Sequence, residues 1–264
     1  MKVLKKVFCS ILILIISFSF FGCEGLLANI SSITTNYVEL INEVSAETMK
    51  SVIMVKTDVN TLTKKNTYLG SAVIVKIVEN TFNSKTNKTC YAITNNHVVQ
   101  IDAIYGVTRT VTDYQGNAYD YKVERYSAND DLAIISFAYN DDIDNNELKA
   151  LPFAKNNYRV GGRVISLGSP HGQKNTITLG VITDYDTVTM SPENDNLVSN
   201  VQYEVIHHTC PIDGGSSGGV LINYNFEIVG INFAAGISEK TGDFVAAYAI
   251  PVEKVIAFIG TTLD

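Results

Sequence analysis

A serine among glycines, at Asp213–Val220 with the sequence DGGSSGGV, is the strongest chemical signal in this chain. Glycines adopt turns that other residues cannot, and such a turn can aim two backbone N–H groups at one point. Donors placed in this way stabilise the charge that develops on a carbonyl oxygen during acyl transfer. The segment is therefore a candidate nucleophile turn. A glycine-rich hairpin turn is the alternative, so the interpretation depends on a base and an acid elsewhere.

A candidate base is found among the four histidines, which are His97, His171, His207 and His208. His97 follows a β-branched, half-buried segment, CYAITNN, that ends in Asn95 and Asn96. A histidine at the end of a strand is presented to a cleft while its backbone stays fixed. Considered alone, His97 is explained equally well by a hydrogen bond to a neighbouring carbonyl.

The candidate acid lies in NDDLAII, where Asp130 and Asp131 precede an apolar run. Asp131 is the better candidate because it directly adjoins that run, where it can be desolvated and fixed against an imidazole Nδ1–H. Taken singly, each of the two aspartates is typical of a turn or a cap.

The order His97, Asp131, Ser217 is the order of the chymotrypsin arrangement. At this point the chain resembles the HtrA/Deg branch of the trypsin-like serine proteases, over roughly residues 38 to 260. The segments YAITNNHVV, DLAII and GGSSGGVLINYNFEIVGINFAA are similar to its histidine, aspartate and serine blocks. Four further blocks follow in the family's order: LGSAVIV (69 to 75), LGSPHG (167 to 172), NTITLGVIT (175 to 183) and AYAIPVEKV (247 to 255).

The resemblance implies a role for each residue of the triad. Ser217 would attack the peptide carbonyl, His97 would take its proton and return it to the leaving amine, and Asp131 would orient His97. The backbone N–H groups of Gly215 and Ser217 would form the oxyanion hole. Ser216 is the rival nucleophile, but it would shift the turn one place out of the family's frame.

Two residues depart from the family pattern: Ala72 stands where glycine is frequent, and Ser216 stands where Asn or Asp is usual. Without a charge, Ser216 cannot pair with a newly freed N-terminal amine, so we predict no activation by proteolytic cleavage. The resemblance implies instead that activity depends on rearrangement of loops around Gly161–Gly172 and Tyr185–Leu197.

Substrate binding is predicted along the strand that follows the serine. An extended peptide can add to such a strand by main-chain hydrogen bonds, with side-chain pockets giving selectivity. Pro211 provides no carboxylate for a basic residue, and Asn232 replaces the histidine of glutamyl endopeptidases. A small or medium aliphatic residue before the scissile bond is therefore expected. The predicted substrate-binding residues are Ile212, Ile231, Asn232, Phe233 and Ala234.

The N-terminus predicts export. Lys2, Lys5 and Lys6 precede an apolar stretch from Val7 to Phe21, and FFGC ending at Cys23 resembles a bacterial lipobox. We predict a signal peptide at 1–22, lipidation of Cys23, a linker at 23–36 and anchoring at the outer face of the bacterial cell membrane. A non-lipidated signal or an uncleaved anchor remains the alternative.

Charge and composition argue against nucleic acid as a partner and against a bound metal or cofactor. The net charge is −7, and without the three leader lysines 17 basic residues stand against 27 acidic ones, which gives −10 and argues against nucleic acid as a partner. Cys90 and Cys210 are expected to be buried free thiols, and one disulfide between them is the alternative. No cofactor and no metal are predicted, because His207 and His208 are adjacent on a strand and face opposite ways.

The elements that must position these residues are predicted to be β-strands. Many short β-branched runs with polar turns indicate an all-β barrel or sandwich. The resemblance implies two antiparallel six-stranded β-barrels in residues 37–264, the first at about 50–150 and the second at about 151–255, with short N- and C-terminal helices. We predict polar hairpin-like loops at Thr61–Thr67 and Asn80–Thr89.

The function predicted from the sequence is that of a serine endopeptidase acting on unfolded or extracellular polypeptides. No appended PDZ module is expected, and HtrA relatives are often trimeric, so a homo-oligomer is one expectation. The alternative is a protease-fold lipoprotein without turnover that acts as a binding protein, adhesin or chaperone.

Overall fold

The computed structural model describes residues 38–60, 64–82, 85–100, 106–139, 147–172, 176–187, 201–237, 244–260 and 262–263 of the 264-residue chain. The predicted signal peptide, the linker and Cys23 lie outside the described residues. Residues 38–47 form helix α1, the short N-terminal helix, and a 3₁₀ helix follows at Met49–Ser51. In the ranges given, no helix is long and apolar enough to cross a membrane.

The first barrel contains six strands. They close in the order β1-β2-β3-β6-β5-β4, and every neighbouring pair is antiparallel. A short helix α2, Asn96–Val99, follows the third strand. The strands are β1 Val52–Asn60, β2 Lys65–Phe82, β3 Lys85–Thr94, β4 Val107–Thr112, β5 Ala118–Ser127 and β6 Leu132–Tyr139.

The second barrel repeats this topology with the next six strands, which close in the order β7-β8-β9-β12-β11-β10. Its strands are β7 Arg163–Gly168, β8 Thr176–Thr187, β9 Glu204–His208, β10 Val220–Ile222, β11 Ile228–Ile237 and β12 Phe244–Pro251. The predicted fold class, two antiparallel six-stranded barrels with short helices, is confirmed.

Helix α3, Val252–Ile259, follows the second barrel directly. Val252, Val255, Phe258 and Ile259 are its buried residues, a spacing that places them on one face of a helix. Gly260, with φ of +48°, ends the helix, as glycine does at many helix C-termini.

Each barrel has its own apolar core. Inward-facing residues such as Val55, Ile74 and Phe137 fill the first, and residues such as Val164, Ile206 and Val229 fill the second. Cys90 lies in the first core and Cys210 in the second, and both are free thiols. Burial raises the pKa of Cys210 to about 12.

The hairpin of β2 and β3 differs from the prediction. Polar residues at Asn80–Thr89 were expected in a loop, but β2 and β3 stay paired out to Phe82 and Lys85. This run is almost wholly polar, so its sequence lacks the apolar alternation that indicates a strand. Likewise, the Thr61–Thr67 segment, also predicted as a loop, already contains the start of β2 at Lys65.

Candidate active site

The structure joins His97 to Asp131 by two hydrogen bonds. His97 Nδ1–H donates to Asp131 Oδ2 at 2.8 Å, and the His97 backbone N–H donates to Asp131 Oδ1 at 3.0 Å. The His97 side chain is 9% exposed and that of Asp131 is fully buried. Because the carboxylate occupies Nδ1, the tautomer is fixed and Nε2 is left as the acceptor for another group.

Asp131 lies in the tight turn between β5 and β6, with φ of +50°. The Asn95 side-chain amide donates to its carbonyl oxygen at 2.9 Å, which ties this turn to the residue before α2. Its neighbour Asp130 instead accepts a hydrogen bond from Ser127 Oγ at 2.6 Å and caps the turn. The two adjacent aspartates thus have different partners: Asp131 is bonded to His97, and Asp130 is bonded to Ser127.

Ser217 lies in the turn between β9 and β10. Its hydroxyl donates to the Phe233 carbonyl at 3.3 Å, and among the hydrogen bonds of the described residues none joins Ser217 to His97. A register shift between Asn232 and Ala234 makes Phe233 the extra residue of a β-bulge in β11. Bulges of this kind occur next to active sites, where they redirect backbone groups.

Gly70 of β2 brings the histidine and serine segments together. A Cβ added at Gly70 would lie 2.4 Å from the side chain of Val98, which adjoins His97, and 3.2 Å from the Ser217 carbonyl oxygen. The N–H of Ser71 donates to that same oxygen at 2.7 Å. The main chain of Ser217 and the neighbour of His97 therefore pack on one point of the first barrel, which only glycine leaves open.

The nucleophile turn leaves two backbone donors unused. The N–H groups of Ser216, Gly218 and Gly219 donate to carbonyl oxygens within 2.9 Å. Those of Gly215 and Ser217 donate to no group in the part of the chain that the structure describes. Gly215 and Gly218 have φ of +95° and +81°, so the turn requires glycine at both positions.

Sequence reasoning missed the polar residues that support this turn. Ser71 Oγ donates to the Gly215 carbonyl at 2.8 Å and accepts the Ser169 N–H at 2.8 Å. Thr94 Oγ1 donates to the Ser71 carbonyl at 2.7 Å. The one available signal was Ser71 itself, a polar residue at the head of the apolar run AVIV.

The loop after β7 also contacts the turn. The His171 N–H donates to the Gly214 carbonyl at 2.7 Å, and His171 Nε2 lies 2.8 Å from Asp213 Oδ2. Hydrogen bonding from His171, with a smaller contribution from the Gly214 N–H, lowers the pKa of Asp213. This contact between His171 and Asp213 is exposed to solvent, so it contributes little to stability.

The predicted substrate-binding residues fall into two groups. Ile231, Asn232 and Phe233 are buried, whereas Ile212 and Ala234 are partly exposed. The Asn232 side chain donates to Ser166 Oγ at 2.7 Å and accepts from His208 Nε2 at 3.1 Å. Asn232 therefore belongs to a buried polar network, and its side chain is already satisfied there.

His208 is the buried member of that network. Burial lowers its pKa to about 4, and the nearby His207 adds to this effect, while the hydrogen bond to Asn232 opposes it. Within the described residues, no group of three or more His, Cys, Asp and Glu side chains could hold a metal ion.

Comparison with known proteins gives the family. The profile of the trypsin-like peptidase domain matches residues 70–231. The periplasmic serine endoprotease DegP of Salmonella typhimurium is 29% identical over 189 residues, which cover 71% of this chain and 34% of that protein. From Bacillus subtilis, the serine protease Do-like HtrB is 32% identical over 184 residues, 68% of this chain and 37% of the relative.

A second Bacillus subtilis protein, the serine protease Do-like HtrA, is 32% identical over 190 residues, 70% of this chain and 37% of the relative. The chain thus spans about a third of the length of these relatives. The residues matched by the family profile include His97, Asp131 and Ser217. The strands β1 to β12 form the two barrels expected of such a domain. The chain therefore belongs to the trypsin-like peptidase family, in its HtrA-type branch.

Proposed function

We propose that the chain is a serine endopeptidase that cleaves polypeptides through an acyl-enzyme intermediate, with His97, Asp131 and Ser217 as its catalytic triad. The observation that carries the proposal is the buried Asp131 carboxylate, bonded to both the ring and the backbone of His97. A carboxylate in this position holds the imidazole in one tautomer and stabilises the imidazolium that forms during catalysis.

In the proposed reaction, His97 Nε2 takes the Ser217 hydroxyl proton as Oγ attacks the substrate carbonyl. The present hydrogen bond from Ser217 to Phe233 is long at 3.3 Å, so rotation of the hydroxyl toward Nε2 costs little. The N–H groups of Gly215 and Ser217 then stabilise the oxyanion. His97 returns the proton to the leaving amine, and water hydrolyses the acyl-enzyme by the same steps.

Fluorophosphonate labelling tests this proposal. We expect the purified protein to be labelled at Ser217 and to hydrolyse an unfolded protein substrate such as casein, and Ser217→Ala to lose both. Ser216→Ala is the matched control, because Ser216 Oγ accepts the Asp213 N–H at 3.2 Å and is only 4% exposed. Labelling of Ser216 instead would overturn the assignment, and a folded protein that neither labels nor turns over would support the binding-protein alternative.

No proteolytic activation is needed in this proposal. The Ser216 hydroxyl is bonded within the turn itself, so its position does not depend on a new N-terminal amine. We expect the full-length chain to be as active per labelled serine as a chain trimmed before residue 38. Activity that appears only after trimming would refute this part of the proposal.

We also propose that the activity depends on rearrangement of the loops at 161–172 and 185–197. Residues 188–197 of the second loop lie outside the described part of the chain.

For specificity, we propose a small or medium aliphatic residue before the scissile bond. Ile212 and Ala234 offer partly exposed apolar surface near the turn, and Asp213, the nearest carboxylate in sequence, is paired with His171. A substrate would add as a strand along β11. Cleavage profiling with a peptide library should show aliphatic residues at this position, and preference for Lys, Arg or Glu would contradict it.

We further propose that the protein is exported and anchored through a lipid on Cys23. The apolar leader and the lipobox-like FFGC support both parts of this proposal, and the names of the periplasmic DegP relatives support export. In bacterial cells that express the full chain, palmitate should be incorporated into the wild type and not into Cys23→Ser. Globomycin should cause the unprocessed form to accumulate. A mature protein without label would refute the anchor.

A further inference from the structure

We propose that Ser71 of the first barrel is a positioning residue that holds the oxyanion hole of the second barrel in its working geometry. This inference rests on the proposed function, because it concerns the direction of the Gly215 and Ser217 N–H groups. Ser71 contacts no reacting atom in this scheme and acts through the Gly215 peptide.

Every polar atom of Ser71 has a hydrogen-bond partner. The hydroxyl and the N–H have partners in the second barrel, and the carbonyl has one in the first. Its hydroxyl joins Gly215 and Ser169, and its N–H donates to the Ser217 carbonyl at 2.7 Å. Thr94 Oγ1 donates to its carbonyl. Ser71 is fully buried, so water cannot replace any of these bonds.

The hydroxyl fixes a peptide plane that lies between the two proposed oxyanion donors. A peptide unit is planar, so the Gly215 carbonyl and the Ser216 N–H point in opposite directions. Ser71 Oγ holds the carbonyl end, and the Asp213 carbonyl holds the N–H end at 2.9 Å. Gly215, at φ of +95°, has no side chain that would restrict rotation of this unit. The hydrogen bond from Ser71 therefore restrains the carbonyl end of this peptide unit.

Only a side chain that both donates and accepts can serve at this position. Gly215 presents an acceptor and Ser169 a buried donor, and one hydroxyl satisfies both. Alanine would leave the β1–β2 pairing of Met54 with residue 71 intact, since that pairing uses backbone atoms. Ser71→Ala therefore removes the support of the turn selectively.

The test compares Ser71→Ala with Ser136→Ala. Ser136 is a buried serine of the same barrel whose hydroxyl donates to Glu124, away from the site. For each we would measure kcat, KM, the rate of fluorophosphonate labelling, and the affinity for a peptide boronate and for the corresponding product peptide. A boronate adduct places an oxygen in the oxyanion hole, whereas the product peptide does not require it.

We expect Ser71→Ala to lower kcat by about tenfold to a hundredfold, less than the loss known for removal of a whole oxyanion donor. Boronate affinity should fall in parallel, while KM and product affinity change by less than about twofold, because only transition-state stabilisation is lost. Ser136→Ala should match the wild type in all four measurements.

Unchanged kcat and boronate affinity in Ser71→Ala, with an active wild type, would overturn the inference and leave the proposed function standing. A wild type that neither labels nor turns over would overturn the proposed function itself. Equal losses in boronate and product affinity would show a merely structural role and also overturn the inference. If Ser71→Ala does not fold, Ser71→Cys keeps the volume with a weaker donor, and its kcat must then fall below that of the wild type.

Discussion

At the residue scale, two adjacent aspartates show how environment assigns a role. Asp130 caps its own turn through Ser127, whereas Asp131 is turned toward His97 by its positive φ, a conformation that Asp and Asn tolerate better than most residues. Once buried against the imidazole, Asp131 is the only one of the pair that can fix the histidine tautomer.

Asp131→Asn should lower kcat by about 10⁴-fold with little change in the fold. Asn accepts the same backbone conformation and volume, but it has one amide oxygen in place of two carboxylate oxygens. It therefore cannot accept from Nδ1–H and from the His97 backbone N–H with separate oxygens, and the wrong tautomer is favoured. Steady-state kinetics on a peptide substrate, with circular dichroism to confirm folding, would measure this effect.

Asp130→Asn provides the matched control, with the same chemical change one residue away. We expect it to retain kcat within about threefold, because the Asp130 carboxylate is bonded to Ser127 within its own turn and substitutions away from the reacting groups have small effects. A comparable loss of kcat in both variants would contradict the assignment of Asp131.

At the scale of elements, the nucleophile turn is shaped by the strands of the other barrel. A Cβ at Gly218 would lie 2.0 Å from the Ser71 carbonyl oxygen and 2.2 Å from Thr94 Oγ1. The glycine is therefore needed for two reasons: its positive φ, and the close approach of β2 and β3. This second reason follows from packing and is not visible in the turn's own sequence.

Gly218→Ala should destabilise the protein by about 3 to 5 kcal/mol and abolish labelling of Ser217, because strain and overpacking add. Gly161→Ala separates the two effects, since Gly161 has φ of +77° but nothing within 4 Å of the added Cβ. That control should lose only about 1 to 2 kcal/mol. Chemical denaturation of both variants measures the difference, and equal losses would show that packing against the first barrel is unimportant.

At the scale of the whole molecule, two barrels of one topology each enclose a core, and the second also encloses a polar network. Asn232 donates to Ser166, so its oxygen accepts from His208 Nε2–H, and Nδ1 of His208 remains buried with no partner among the described residues. A proton added at Nδ1 would place an unpaired charge in the core.

The free energy of unfolding should therefore fall in acid. The pKa of His208 is about 4 in the folded state against 6.5 ordinarily, so the unfolded chain binds the proton more tightly. Stability is full above pH 6.5, declines as the pH falls below that value, and by pH 4 has lost about 3 kcal/mol from this residue. Urea unfolding at pH 7 and pH 4.5 would measure this decline.

His208→Gln should flatten this pH dependence, because glutamine does not take up the proton. His171→Gln is the control, since its side chain is 62% exposed and removing it should leave the decline in place. The same slope in His208→Gln as in the wild type would show that another group is responsible.

From the sequence alone came a candidate triad and an all-β fold: the serine turn, the histidine at a strand end, the acid before an apolar run, and many short β-branched runs. The two barrels were implied by the family resemblance. These features are local, since turn residues, strand ends and apolar runs are each written in a few neighbouring positions. Where the sequence is almost wholly polar, as in the outer β2–β3 hairpin, the local pattern failed because it lacks the apolar alternation that indicates a strand.

Tertiary structure alone decided which groups touch. Gly70 and Gly218 are required by the approach of another chain segment, Ser71 reaches Gly215 across 144 positions of sequence, and Asn232 is occupied by His208. Contacts between distant segments depend on how strands close into barrels and how the barrels meet. No short stretch of sequence contains that information, because the two partners in each contact are specified far apart in the chain.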